Sequence, residues 1–224
     1  MGIIQQEQEQ EQQPDQRPKD WAYMVAFKEK DLPSLQAMMK HIRETHDVDM
    51  IESFNQKCEQ KLKLSDEPAI LDNGIEIQRV EKTDDLVTDL GLQQCINIIL
   101  GTSASRFSHI LASRNSANVP PTVSDTALGI SSGGPYVFPL ATYGWIESKG
   151  MKMFFATIVP QSPASPTMSI INEMAVYNGS SMGNAMLNHE VFFNNQLTRT
   201  ITQDLQVYAN VFILSCIVEL CPVA

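Results

Sequence analysis

A chain of 224 residues with 26 acidic and 16 basic side chains carries a formal net charge of -10 and a pI near 4.8. That excludes nucleic acid as the expected partner, because neutralising phosphates needs clustered Lys and Arg. The length suits one sizeable domain with an appendage and needs no metal or disulfide staple. Cys58, Cys95, Cys216 and Cys221 form no C-x-x-C pair, and Cys216 and Cys221, which flank a strand end, read as small buried hydrophobes in preference to a bridge. With no readable signal peptide and no run long enough to span a bilayer, a soluble protein made in a cytoplasm is expected.

Residues 1–20 are Gln/Glu-rich, with Pro14 and Pro18 and almost no apolar anchors. Alone they cannot offset the entropy of ordering, so they read as a solvated arm or one ordered only by a partner. Residues 21–64 form the next unit. Trp21, Tyr23, Val25 and Phe27 alternate as in a short strand or anchoring segment. Leu35, Met38, Met39 and Ile42 then recur at helical spacing, as do Met50, Ile51, Phe54, Cys58 and Leu62 beyond the Asp47–Asp49 break. A helical hairpin follows. Its Met-rich stripe reads as core, with an adaptable docking face as the alternative, and Trp21, Phe27, Met38 and Met39 are the assembly candidates here.

Residues 65–82 read as a linker with an Asn73-Gly74 turn, then an edge strand from Ile75 to Val80. From residue 83 a β-domain is expected to run to 224. Thr83-Asp84-Asp85 has the form of a helix start, with Leu86, Leu90, Cys95 and Ile99 following and Gly101 as the stop. Twenty acidic and 11 basic residues lie before position 101, and only 6 and 5 after it. Beyond it the apolar period changes to two, with candidate strands at 106–112, 136–147, 152–159, 168–177, 185–193 and 206–219. The last is apolar on both faces, which suits a central strand or one buried at a subunit contact. The expected fold is mainly β: an antiparallel, jelly-roll-like β-sandwich preceded by a helical hairpin and an arm.

The run from Leu86 to Leu128, with its Pro-rich loop closed by Asp125-Thr126-Ala-Leu128, resembles a pattern of tailed-virus structural proteins. The run IINEMAVYNGSSMGNAMLNHEVFF and the strand TITQDLQVYANVFIL resemble its continuation, so the likeness covers roughly residues 84–215. It implies a virion location and an architectural role. Asp125 and Thr126 would close the loop beneath the sandwich, and Glu173 would point at a loop or a neighbouring subunit. Partners implied are copies of the chain and other virion proteins, with no cofactor.

Catalytic and metal chemistry finds little footing. Gly129-Ile-Ser131-Ser-Gly133 and Gly179-Ser-Ser181-Met-Gly183 match a hydrolase nucleophile elbow, but neither has the strand before and helix after that the elbow needs. His41 and His46 beside Asp47 and Asp49 lack the spacing of a helical metal site. His109 and His189 are expected to have core or cross-strand partners. Glu147 and Glu190 would be the glycosidase carboxylates to test, without positive support. The alternative function is a receptor module for a cell-surface glycan. Tyr136, Tyr143, Trp145 and Tyr177 would stack on sugar, and Asn115, Asn118, Asn178 and Asn184 would supply amides.

Overall fold

The computed structural model of the chain describes residues 19–113, 119–129, 135–146, 152–160, 171–192 and 210–219. In chain order these hold β1 (Lys19–Lys28), a short 3-10 turn (Glu29–Asp31), α1 (Leu32–Thr45) and α2 (Val48–Lys63). There follow β2 (Ala69–Ile70), β3 (Glu76–Ile77), β4 (Arg79–Val87), α3 (Asp89–Ile99), β5 (His109–Ser113), β6 (Tyr136–Pro139) and β7 (Thr142–Ile146). The last are β8 (Lys152–Pro160), β9 (Glu173–Tyr177), β10 (Asn188–Val191) and β11 (Asn210–Glu219). Mainly β structure with a helical hairpin is what the periodicities predict.

β1 explains how the parts join. Its period-two pattern sends Tyr23, Val25 and Phe27 to one side of the sheet and Ala22, Met24 and Ala26 to the other, and both sides are buried. The strand is antiparallel to β4 on one flank and to β11 on the other. The hydrogen-bonded order is β6-β5-β9-β10-β4-β1-β11-β8-β7, with β2 and β3 paired separately. β10 changes partners along its length: Asn188 and His189 sit opposite β4, whereas Glu190 and Val191 sit opposite β9. At the other end the chain passes from β6 to β7 through Leu140, whose N–H donates to Ser108, and Ala141, whose N–H donates to Ala156. The two packed sheets are thus joined at one margin by β10, which pairs into both, and at the other by the β6–β7 connection.

Three apolar clusters fill this frame. Met24, Leu214 and Cys216 of one sheet meet Ile110, Met174 and Val176 of the other, forming the inner core. Leu35, Met39 and Ile42 of α1 and Ile51, Phe54 and Cys58 of α2 cover the outer face of the β1 sheet, with Phe54 edge-on to Phe154 at 6.3 Å. Leu128 covers Leu111, Ala175 and Tyr177 on the outer face of the second sheet.

Two expectations are corrected. The strand and hairpin of 21–64 are not a segment separable from a domain starting at residue 83, because β1 is a central strand and the hairpin shares its core. Phe27, Met38 and Met39 are buried there and offer no docking surface. The helix expected from Thr83 also begins later. Residues 79–87 are β4, held between β1 and β10, and Thr88 caps α3 by accepting from the Gly91 N–H at 3.0 Å. The Asn73-Gly74 turn is present, with Gly74 at φ +81°.

Candidate functional site

The densest polar chemistry among the described residues lies on the outer face of the second sheet. β10 presents His189, β9 presents Glu173 and β5 presents Ser113, while the segment 119–129 lies over them. His189 uses both ring nitrogens: Nδ1 is 2.6 Å from Asp125 Oδ2, and Nε2 is 2.7 Å from Glu173 Oε1. Glu173, fully buried, also accepts from the Gly129 N–H at 2.7 Å and from the Ser113 hydroxyl. Asp125 in turn accepts from the Thr122 N–H (2.8 Å) and the Thr122 hydroxyl (2.6 Å), which folds the segment into a tight polar turn.

Two carboxylates on one imidazole favour the doubly protonated ring, since only imidazolium can donate from both nitrogens at once. Burial alone would lower the His189 pKa, but the hydrogen bonds and charges of Glu173 and Asp125 raise it above its ordinary value. Burial acts on Glu173 and Asp125 in the opposite sense. For Glu173 the bonds from His189, Ser113 and Gly129 overcome it, and for Asp125 those from Thr122 and His189 do, so both pKa values fall below the ordinary range. The cluster is an ionic latch that fastens the 119–129 segment to the sheet. Its acceptors are occupied and its histidine is covered, so it offers no accessible base beside a free nucleophile.

A second buried group lies in the inner core. Asp20, Glu190 and Cys216 bring their ligand atoms within 4.8 Å of one another. Asn188 Nδ2 is 2.7 Å from Glu190 Oε1 and 2.9 Å from Cys216 Sγ. Burial, with the charges of Glu190 and Asp20, pushes the Cys216 thiol well above its usual range. A thiol held neutral in this way is a poor nucleophile.

The other sequence candidates do not converge. Thr126 is exposed and makes none of the latch bonds. Tyr177 is buried with its hydroxyl on Met186, Tyr136 packs against the inner core, and Tyr143 is half exposed on β7. The side chain of Trp145 lies outside the described residues, as do residues 1–18, Asn115, Asn118, Ser131 and Glu147. The expected sugar-stacking set is therefore dispersed over a core, a strand margin and a buried face. Ser181 sits in an exposed turn, bonded by Asn184, that leads to β10 instead of a helix. His41 meets Asp47 at 3.1 Å on an exposed helix end, and Asp47 caps α2 through the Met50 N–H.

A groove unanticipated from the sequence opens where α2 crosses the outer face of β1. Its cavity is about 700 Å³, its floor is Trp21, Tyr23 and Ile217, and α2 forms one wall. Lys82 and Lys152 place their ammonium groups 5.8 and 5.5 Å from the Trp21 ring centroid. Each lysine is held by acids: Lys82 by Glu59 and Asp84, Lys152 by Glu219. The Tyr23 hydroxyl donates to Glu59 at 2.8 Å.

α3 closes one end of the sandwich. Leu92 and Cys95 face the inner core, while Ile96, Ile99 and Leu100 are exposed by 49, 77 and 69 %. No protein-family model, curated protein or solved structure matches this chain.

Proposed function

We propose that the protein is a non-enzymatic structural subunit that assembles with copies of itself, and that its setting is a virus particle. One observation carries the assembly reading: α3 ends in an uncharged apolar surface of Ile96, Ile99 and Leu100 on a chain of net charge -10. Contiguous exposed apolar surface of this kind marks a contact. Asp89 is the only charged side chain in the helix, so two copies can bring these surfaces together without opposing like charges. The latched segment meets the opposite, N-terminal end of α3, where the Asp89 N–H donates to Val123 at 2.8 Å, so it leaves the apolar end of the helix uncovered. The virion setting rests on the sequence resemblance of residues 84–215.

The test is solution mass by light scattering for the full chain beside the double substitution Ile99→Glu, Leu100→Glu. Both side chains are exposed, so the substitutions should change folding stability by no more than about 0.5 kcal/mol each. The full chain is expected to form a closed oligomer or larger assembly and the variant to run as a monomer with an unchanged far-UV spectrum. A wild-type monomer at high protein concentration would overturn the reading.

A further inference from the structure

The groove over Trp21 has no part in the assembly reading, and its side chains are set out as a binding site would be. α2 turns one polar stripe toward it: Glu52, Asn55, Gln56, Glu59, Gln60 and Lys63 recur at three- and four-residue intervals. An amphipathic helix ordinarily gives such a stripe to open solvent. Here the stripe overlooks an aromatic floor across a cavity of about 700 Å³, within the size range of small-molecule sites.

Most of the charges in the groove are already matched. Glu59 is taken by Tyr23 and Lys82, and Lys152 by Glu219. These pairs leave Glu52 as an acceptor, Gln56 as an amide, the Gln60 NH2 as a donor, its oxygen being taken by Lys57, and Lys63 as a donor, with one negative and one positive charge among them. An anionic or cationic ligand would find no net complement. A ligand rich in hydroxyls, each able both to donate and to accept, fits the row. Lys82 and Lys152 hold their ammonium groups over the Trp21 ring, and the CH side of a sugar ring, whose polarised hydrogens meet the π surface in the same electrostatic sense, would take the place of one of them. Glu52 to Lys63 spans roughly 16 Å at about 1.5 Å per residue, which is longer than one ring.

We propose that this groove binds a short neutral oligosaccharide, with Trp21 as the stacking platform and Glu52, Gln56 and Gln60 as the hydroxyl-reading residues. Sugar binding by this protein thus falls on the α2 face of β1, a different place from the dispersed tyrosines.

Ligand-observed saturation-transfer NMR on the full chain tests it, with cellotriose and triacetylchitotriose as neutral probes and trigalacturonate as the acidic one. At least one neutral trisaccharide should bind saturably, with a Kd in the range of about 1 mM or below. Gln56 is exposed, so Gln56→Ala leaves the fold intact, and it should weaken binding several-fold. Trp21→Ala should abolish binding, and Trp21→Phe, which keeps a smaller ring on the sheet, should retain part of it. The proposal is overturned if neither neutral probe saturates, if trigalacturonate binds better than both, or if binding survives Gln56→Ala and Trp21→Ala unchanged.

Discussion

His189 Nε2 stands 2.7 Å from Glu173 Oε1 on the covered face of the second sheet, and through that bond β10 and β9 together hold down a segment that neither strand adjoins in sequence. The same imidazole reaches Asp125 with its other nitrogen, so one side chain closes the segment to the sheet.

Removing the imidazole should therefore cost more than a typical hydrogen bond. His189→Ala leaves a buried Glu173 without its cation, and losing one partner of a buried pair costs about 3–5 kcal/mol. Urea denaturation should show the loss, and the double variant His189→Ala, Glu173→Ala should recover part of it. A loss below about 1 kcal/mol in the single variant would show the latch to be incidental.

The latch also sets a pH window. His189 has a raised pKa, so its contribution is full below the ordinary histidine value and is lost as pH rises through the raised one. Glu173 and Asp125 have lowered values, so theirs is full above the ordinary carboxylate range and is lost as pH falls through the lowered ones. Stability measured across pH should show a plateau with a decline on each side. His189→Gln, uncharged at every pH, should flatten the alkaline decline while leaving that of other groups in place.

Gly91 is the tightest backbone contact of α3. A Cβ placed there would lie 2.3 Å from the Leu187 carbonyl oxygen and 2.5 Å from its Cα, and backbone cannot yield as a side-chain tip does. Gly91→Ala, favourable in an ordinary helix, should here destabilise by about 3 kcal/mol or more as α3 lifts from β10. Thermal unfolding of Gly91→Ala beside an exposed control, Gln93→Ala, distinguishes the packing effect from propensity.

Trimming the first residues should have a sharp threshold. A chain starting at residue 19 keeps β1 and should fold. One starting at residue 31 lacks the strand between β4 and β11, exposing Met24 and Val25 neighbours on both sheet faces, and should be insoluble or unfolded by circular dichroism. Normal folding of the shorter chain would contradict the central place of β1.

What was legible in the sequence was local. The alternation of Trp21, Tyr23, Val25 and Phe27 identifies a strand, and the two-sided apolar character of 211–218 identifies a buried one, because period and burial are written residue by residue. That these strands are neighbours is not, since strand order depends on pairings across most of the chain. Thr83-Asp84-Asp85 misleads for a related reason. Thr88-Asp89 carries the same capping chemistry, and only the pairing of residues 79–87 with β1 decides between them.

The latch was hidden by distance. The resemblance implies that Asp125 and Thr126 close a loop and that Glu173 points at a loop or a neighbouring subunit, and His189, 64 and 16 positions away from Asp125 and Glu173, carries no motif that links it to either. The groove was equally illegible, because Trp21, Lys82, Lys152 and the α2 stripe meet only once four elements are packed. A polar helix stripe reads as solvent-facing until something is found opposite it.

The position of β1 bears on how the protein is made. On the ribosome, β1 and its partner β4 emerge first, but β11 follows β4 only after roughly 120 more residues, about 6–25 s at about 5–20 residues per second. Throughout that interval Val25, Phe27 and Met24 belong to a sheet with one flank open. The nascent chain therefore spends most of its synthesis with an unpaired, apolar strand margin, the form most prone to pairing with a neighbour on the same message. Its yield in a cell should depend on chaperone capacity and translation speed more than on the stability of the finished fold.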